Sequence, residues 1–216
     1  VGTKERRERE KEETRHLILD AARRLFVEQG YEAVSMRKIA EAIEYSPGAV
    51  YVHFEDKETL IRELCMEDFS KLDAEAFRLA SIPDPVERIR QIGHGYVRFG
   101  VANPHHYRLM FMTPHPAEIK VSDEKRAEFE DPSKSGYALL RHAVKEAREQ
   151  GRLRPELTDD ELVAQMLWSG VHGVTSLLIT MEHDPCVKFH DPDGLRDLMC
   201  EAVIRGILRD AKEGGR

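Results

Sequence analysis

Three cysteines in 216 residues, Cys65, Cys186 and Cys200, are too few and too widely spaced to staple a disulfide framework or build a familiar zinc module. Buried thiols are the plain reading. Long hydrophobic runs are also missing: no apolar stretch approaches a bilayer span, and residues 1–13 are charged throughout rather than apolar like a signal peptide. The expected location is cytoplasmic, with no membrane partner. Positive charge is not in excess either. The formal net charge is -7, and residues 1–57 hold 11 Lys and Arg against 12 Asp and Glu, which argues against indiscriminate nucleic-acid binding. Alternating β-branched segments bounded by turns are absent, which removes sheet folds, and there is no internal repeat. No nucleophile motif, phosphate-binding loop or metal-ligand motif stands out, so no catalytic residue, cofactor or metal is expected.

What is present is a hydrophobic content of 41%, enough to bury a substantial core in one domain or two, and helical periodicity along almost the whole chain. The expected fold is all-α with about nine helices. A charged arm over 1–13 would precede a three-helix helix-turn-helix domain over 14–58, and a helical bundle over 59–216 would follow. The first helix is predicted from about Thr14 to Gln29, because Leu17/Ile18, Ala21/Ala22 and Leu25/Phe26 form one apolar face, and Gly30 supplies a left-handed C-cap. Lys4 to Glu13 reads as a solvated tail; the competing reading is an extension of the first helix or a disordered arm, with Arg6, Arg7 and Arg9 reaching DNA.

Ser35 can cap a short second helix that buries Ile39, Ala40 and Ile43, and Glu44 and Tyr45 then make a tight turn. A third helix follows at once, with Ser46 as N-cap and Pro47 at the first helical position, where its missing N–H costs nothing. Two short helices joined in this way form a helix-turn-helix, whose second helix enters the DNA major groove. The free amides from Ser46 to Ala49 suit a phosphate, and Gly48 allows close approach. Tyr51 and His53 can donate hydrogen bonds, Lys57 adds a charge, and Val50 and Phe54 should pack on the first helix.

The residues Ala21-Ala22-Arg23-Arg24-Leu25-Phe26, Gly30-Tyr31, Ser35-Met36-Arg37-Lys38-Ile39-Ala40 and Ser46-Pro47-Gly48-Ala49-Val50-Tyr51-Val52-His53-Phe54, closed by Lys57, resemble the TetR family of bacterial transcriptional regulators. The resemblance implies that Tyr51, His53 and Lys57 clamp the DNA backbone, with Ser35 and Ser46 at the helix starts. It also implies that Arg37, Pro47, Gly48 and Ala49 lie near base edges, with Arg37 suited to guanine. Glu44 stands where the family often has glycine, so a non-glycine residue is expected to take positive φ there.

Downstream, a long fourth helix carries Leu60, Ile61, Leu64, Cys65, Leu72, Ala76 and Leu79, and Ile82 to Pro85 ends it. Helices are then predicted from Pro85 to Val101, from Pro104 to Met112, from Ser133 to Gln150, from a Thr158 capping box to His183, and from Pro192 to Lys212. A polar loop with Pro114, Pro116 and Pro132 separates the second and third of these. Trp168-Ser169-Gly170-Val171-His172-Gly173 and Asn103 to Phe111 resemble the Trp-His-Gly subgroup of TetR C-terminal regions. The resemblance implies a homodimer whose last two helices pair with their counterparts, through Leu162, Met166, Gly170, Gly173, Val174, Leu195, Met199, Val203 and Ile207. His94, Tyr96, Met110, His142, Trp168 and His172 are candidate ligand residues for an unknown small-molecule effector. A metal site at His183, Asp184, Cys186 and His190 is disfavoured. The function implied is that of a repressor bound to double-stranded operator DNA. A protein-binding adaptor would leave the Ser35–Lys57 register unexplained, and an enzyme would need His172 or His142 as a base without any supporting motif.

Overall fold

The computed structural model describes residues 2–113, 122–181 and 184–209. It is all-helical: among the described residues there is no strand, only an isolated bridge between Leu153 and Leu208. Among the described residues there are ten helices, against about nine expected: α1 (Thr3–Gln29), α2 (Met36–Ala42), α3 (Pro47–Tyr51), α4 (Lys57–Phe77), α5 (Pro85–Ala102), α6 (Pro104–Phe111), α7 (Asp123–Glu130), α8 (Gly136–Glu149), α9 (Asp160–Thr180) and α10 (Pro192–Ile207).

The chain divides into two compact units, and the division does not fall at residue 58. One unit holds residues up to Ser70 together with the segment that begins at Pro104, so α6 belongs with α1–α3 and most of α4. Its core contains Ile18, Leu19, Ala22, Phe26, Ile39, Val50, Phe54, Leu60 and Leu109, all buried. Leu17 is half-exposed and Leu19 takes the place expected for it on the buried face of α1. Two charged side chains are buried with this core, and His106 lies half-buried beside them. Arg23 on α1 makes a bidentate pair with Asp68 on α4, at 3.0 and 2.7 Å, and His106 on α6 lies 2.8 Å from the same carboxylate. Burial pushes the Asp68 carboxyl up, but the hydrogen bonds from His106 and Arg23 outweigh it and hold the group below its ordinary range.

The second unit comprises 71–103 and the chain from residue 121 onward. Here α5, α8, α9 and α10 pack around Val86, Ile89, Leu140, Val144, Leu167 and Ile204. Arg88 is buried at its edge, donating to the Ile82 carbonyl at 2.9 and 2.8 Å and pairing with Glu146. By length and composition α9 is apolar enough to cross a bilayer, contrary to the sequence expectation; its Val163, Leu167, Val171 and Val174 are buried in this core.

Several boundaries move for identifiable reasons. Residues 3–13 are helical rather than a free tail, continuing α1 by about three turns. Helix α7 occupies part of the expected loop, while Pro114 and Pro116 lie outside the described residues. Asp159, not Thr158, caps α9, accepting from Glu161 and Leu162 at 3.0 and 3.1 Å. Gly30 has positive φ but ψ 159, so it ends α1 outside the left-handed helical well. The expected helix ends at His183 and Lys212 also fall outside the described residues.

Candidate nucleic-acid interface and internal pocket

The first unit builds the helix-turn-helix from its caps. Ser35 Oγ accepts the Lys38 amide at 3.2 Å and starts α2; Ser46 Oγ accepts the Ala49 amide at 3.3 Å and starts α3, with Pro47 in the first turn. Between them Glu44 adopts φ 60, the positive value that the missing glycine required. The Tyr45 amide reaches back to the Ala40 carbonyl at 2.9 Å and closes the turn. Val50 and Phe54 are buried in the same core as Ala22 and Phe26, which orients α3 with its other side outward. That side presents Pro47, Gly48 and Tyr51 to solvent, and beside Gly48 only Ser46 Oγ, at 3.9 Å, would meet an added Cβ. A phosphate chain can approach here without steric hindrance.

The remaining candidates are placed less freely. Ala49 is half-buried. Arg37 is exposed and pairs with Glu41 at 2.9 Å, so a base contact would require it to leave or share that carboxylate. Lys57 is half-buried, donates to the Tyr31 carbonyl at 2.9 Å and sits 4.0 Å over the Tyr31 ring. His53 is half-buried, and its buried Nδ1 has no hydrogen-bond partner among the described residues. Burial first, then the nearby charges of Lys11 and Arg15, lower its pKa and favour the neutral ring.

The second unit holds a small, partly open pocket of about 40 Å³. Its wall is almost entirely carbon, from residues such as Ile89, Leu140, Leu167, Val171, Tyr96 and Trp168. Gly93 also lines it, where a side chain would meet Val171 and Cys200 at 3.4 and 3.5 Å. The one charged lining residue, Arg90, is neutralised by Glu201 at 2.6 Å and by Glu87. Tyr96 Oη lies 3.1 Å from His172 Nδ1, and the rings of Tyr137, Trp168 and His172 follow one another edge to face at 5.9 Å. Of the six ligand candidates, Tyr96 and Trp168 line the pocket and His172 stands behind Tyr96. The others do not join them: His94 lies 3.4 Å from Asp197, His142 is half-exposed beside Glu146, and Met110 is buried on α6 in the first unit.

Among the expected dimer residues, Val174 and Ile207 are buried within this chain at 2% and 0% exposure, so they cannot face a partner. Gly170 serves packing between α9 and α10, since an added Cβ would stand 2.7 Å from Val203. Gly173 has open space beside it, and Leu162, Met166, Leu177 and Leu198 are exposed. Leu195, Met199 and Val203 are half-buried. Of the disfavoured metal group, His183 lies outside the described residues, and Asp184 accepts the amides of Cys186 and Val187, both at 2.8 Å. Cys186 is exposed rather than buried. Sequence reading missed Arg23, Asp68 and His106; the visible signal was an arginine inside the apolar face of α1.

The first unit is thus a helix-turn-helix of the kind that presents a short capped helix to DNA, and the second is a helical bundle around an apolar pocket. Residues 18–64 match the family described as bacterial regulatory proteins, tetR family, and residues 89–203 match the tetracyclin repressor-like C-terminal domain. The chain belongs to the TetR family. It is 44% identical over 64 residues to the HTH-type transcriptional repressor Rv1474c of Mycobacterium tuberculosis, covering 30% of this chain and 34% of that protein. It is 35% identical over 85 residues to the HTH-type transcriptional regulator UidR of Escherichia coli K12, covering 39% and 40%. The matched stretches therefore span only about a third of those relatives' length. A TetR family transcription regulator from Marinobacter aquaeolei superimposes with a TM-score of 0.73 at 22% identity, over 95% of this chain and 100% of that one, a likeness of fold.

Proposed function

We propose that the protein is a homodimeric repressor that binds double-stranded operator DNA through α2 and α3 and leaves it when a small effector enters the pocket of the second unit. The observation that carries this reading is the outward side of α3. A cap at Ser46, a proline in the first turn and a buried Val50 leave Pro47, Gly48 and Tyr51 exposed together on the outward side of a five-residue helix. Arg37 supplies readout, with Tyr51, His53 and Lys57 at the phosphate backbone. Such a protein works in the cytoplasm, where its operator lies.

The pocket's chemistry favours an effector that is neutral and mainly apolar, because its only charged wall residue already has two carboxylate partners. The adjacency of Trp168 and His172 supports placing the C-terminal region in the Trp-His-Gly subgroup. For the dimer, Leu162, Met166, Gly173 and Leu177 recur along one side of α9 and give a self-complementary surface with Leu198 of α10. The deciding experiment is selection of genomic fragments by the purified protein at two salt concentrations, beside Tyr51→Ala. Selective, salt-sensitive binding lost in the variant supports the reading; a folded wild type that selects nothing overturns it. Trp168 is the only tryptophan and lines the pocket, so effector entry is readable by its intrinsic fluorescence.

A further inference from the structure

The charges of residues 4–15 look evenly mixed in sequence, yet the helix sorts them. With about 3.6 residues per turn, positions 18 apart fall on the same face after about five turns. Lys4 is 18 residues from Ala22 and Arg7 is 18 from Leu25, while Lys11 and Arg15 are each seven residues from Ile18 and Ala22. Ile18, Ala22 and Leu25 are the buried face of α1. The side of α1 that forms the hydrophobic core in its second half is therefore a row of cations in its first half.

This row has a defined place. Arg15 is half-buried, sits 5.4 Å over the Phe54 ring and pairs with Glu63 at 2.6 Å, which fastens the face against the segment that leaves α3. Lys11, one turn earlier, is close enough to His53 for its charge to act on that ring. The cations also differ in occupation. Arg6, on another face, is held by Glu10 at 2.7 Å, whereas among the described residues Lys4, Arg7 and Lys11 make no ion pair. Glu5, Glu8 and Glu12 run down the adjoining flank, so the cations form a narrow strip rather than a diffuse basic patch.

We propose that this strip is a second DNA-contacting element, in which Lys4, Arg7 and Lys11 bind backbone phosphates next to those met at the end of α3. The inference rests on the operator-binding reading and extends it. The partner is fixed by charge complementarity and by continuity with Tyr51 and His53: a row of cations on a rigid helix suits the regularly spaced phosphates of a duplex. Because the strip carries no hydrogen-bond pattern specific for a base, it adds affinity and salt sensitivity without changing which sequence is chosen.

The test compares two charge-matched variants on one selected operator duplex, Arg7→Gln/Lys11→Gln on the strip and Arg6→Gln/Arg9→Gln off it. All four side chains are exposed, and circular dichroism checks that helix content is kept. Each phosphate contact contributes about 0.9 to the slope of log affinity against log salt, so the strip variant, which removes two contacts from each protomer of the bound dimer, should lose about 3.6 units of slope and the control almost none. Affinity should fall equally on operator and on unrelated duplex. Equal slopes in the two variants, with wild type still binding selectively, would overturn the inference alone. No selective binding by wild type would overturn both it and the operator reading.

Discussion

At Glu44 the backbone takes φ 60, where an L side chain crowds the carbonyl that follows. Glycine removes that crowding but loses more freedom on folding, so the two effects partly offset. Glu44→Gly is expected to raise stability by about 0.5–1 kcal/mol in urea unfolding, without altering the α2–α3 turn. At His53 the shift has a definite sign. Burial and the charges of Lys11 and Arg15 depress its pKa in the folded chain, so its contribution is present above the unfolded value of about 6.5 and fades as pH falls through the folded one. A proton titration by NMR should place His53 below about 6.5, and operator phosphates should move it upward. Operator affinity should then rise from pH 8 to pH 6 in the wild type and stay flatter in His53→Gln.

Within the first unit, three helices from distant parts of the sequence meet at one carboxylate. Removing a single partner of a buried pair leaves the other charge uncompensated, so Asp68→Ala should lower the unfolding free energy by about 3–5 kcal/mol. Replacing both Arg23 and Asp68 by leucine should cost much less. The wild-type contribution of Asp68 is present above the unfolded carboxyl value of about 3.9 and is lost as pH falls through its lowered folded value. No local pattern announces this meeting point, because Asp68 and His106 are 38 residues apart and only tertiary packing joins them. Local chemistry, by contrast, was legible: Ser35 and Ser46 stand at the helix starts where their hydroxyls accept orphan amides, with Pro47 following at the first helical position. The first turns of α1 and all of α7 escaped for one reason. Residues 3–13 have no apolar position and α7 has only Ala127 and Phe129, so apolar periodicity had almost nothing to register. Likewise Met110 looks like a pocket residue by composition and is a core residue of the other unit by fold.

For the whole molecule, the dimer reading is separable from folding. Leu162 and Leu198 are 63% and 72% exposed, so Leu162→Glu with Leu198→Glu leaves each chain's own core untouched. Sedimentation should report a folded monomer, and operator affinity should drop by more than tenfold, since two half-sites can no longer be held at once. A wild type that is already monomeric at micromolar concentration would refute the interface. The discontinuous first unit has a different consequence. Because α6 completes the core through Leu109 and holds Asp68 through His106, the reading head is not a detachable cassette ending near residue 58 or 70. Chimaeras that replace the second unit at a single crossover would discard this helix and leave a hole beside α1; workable chimaeras need three junctions, one after α4 leaves the first unit and one on either side of α6. Recombination that replaces the second unit of this chain faces the same geometry, and keeping the first unit intact means carrying this short helix along.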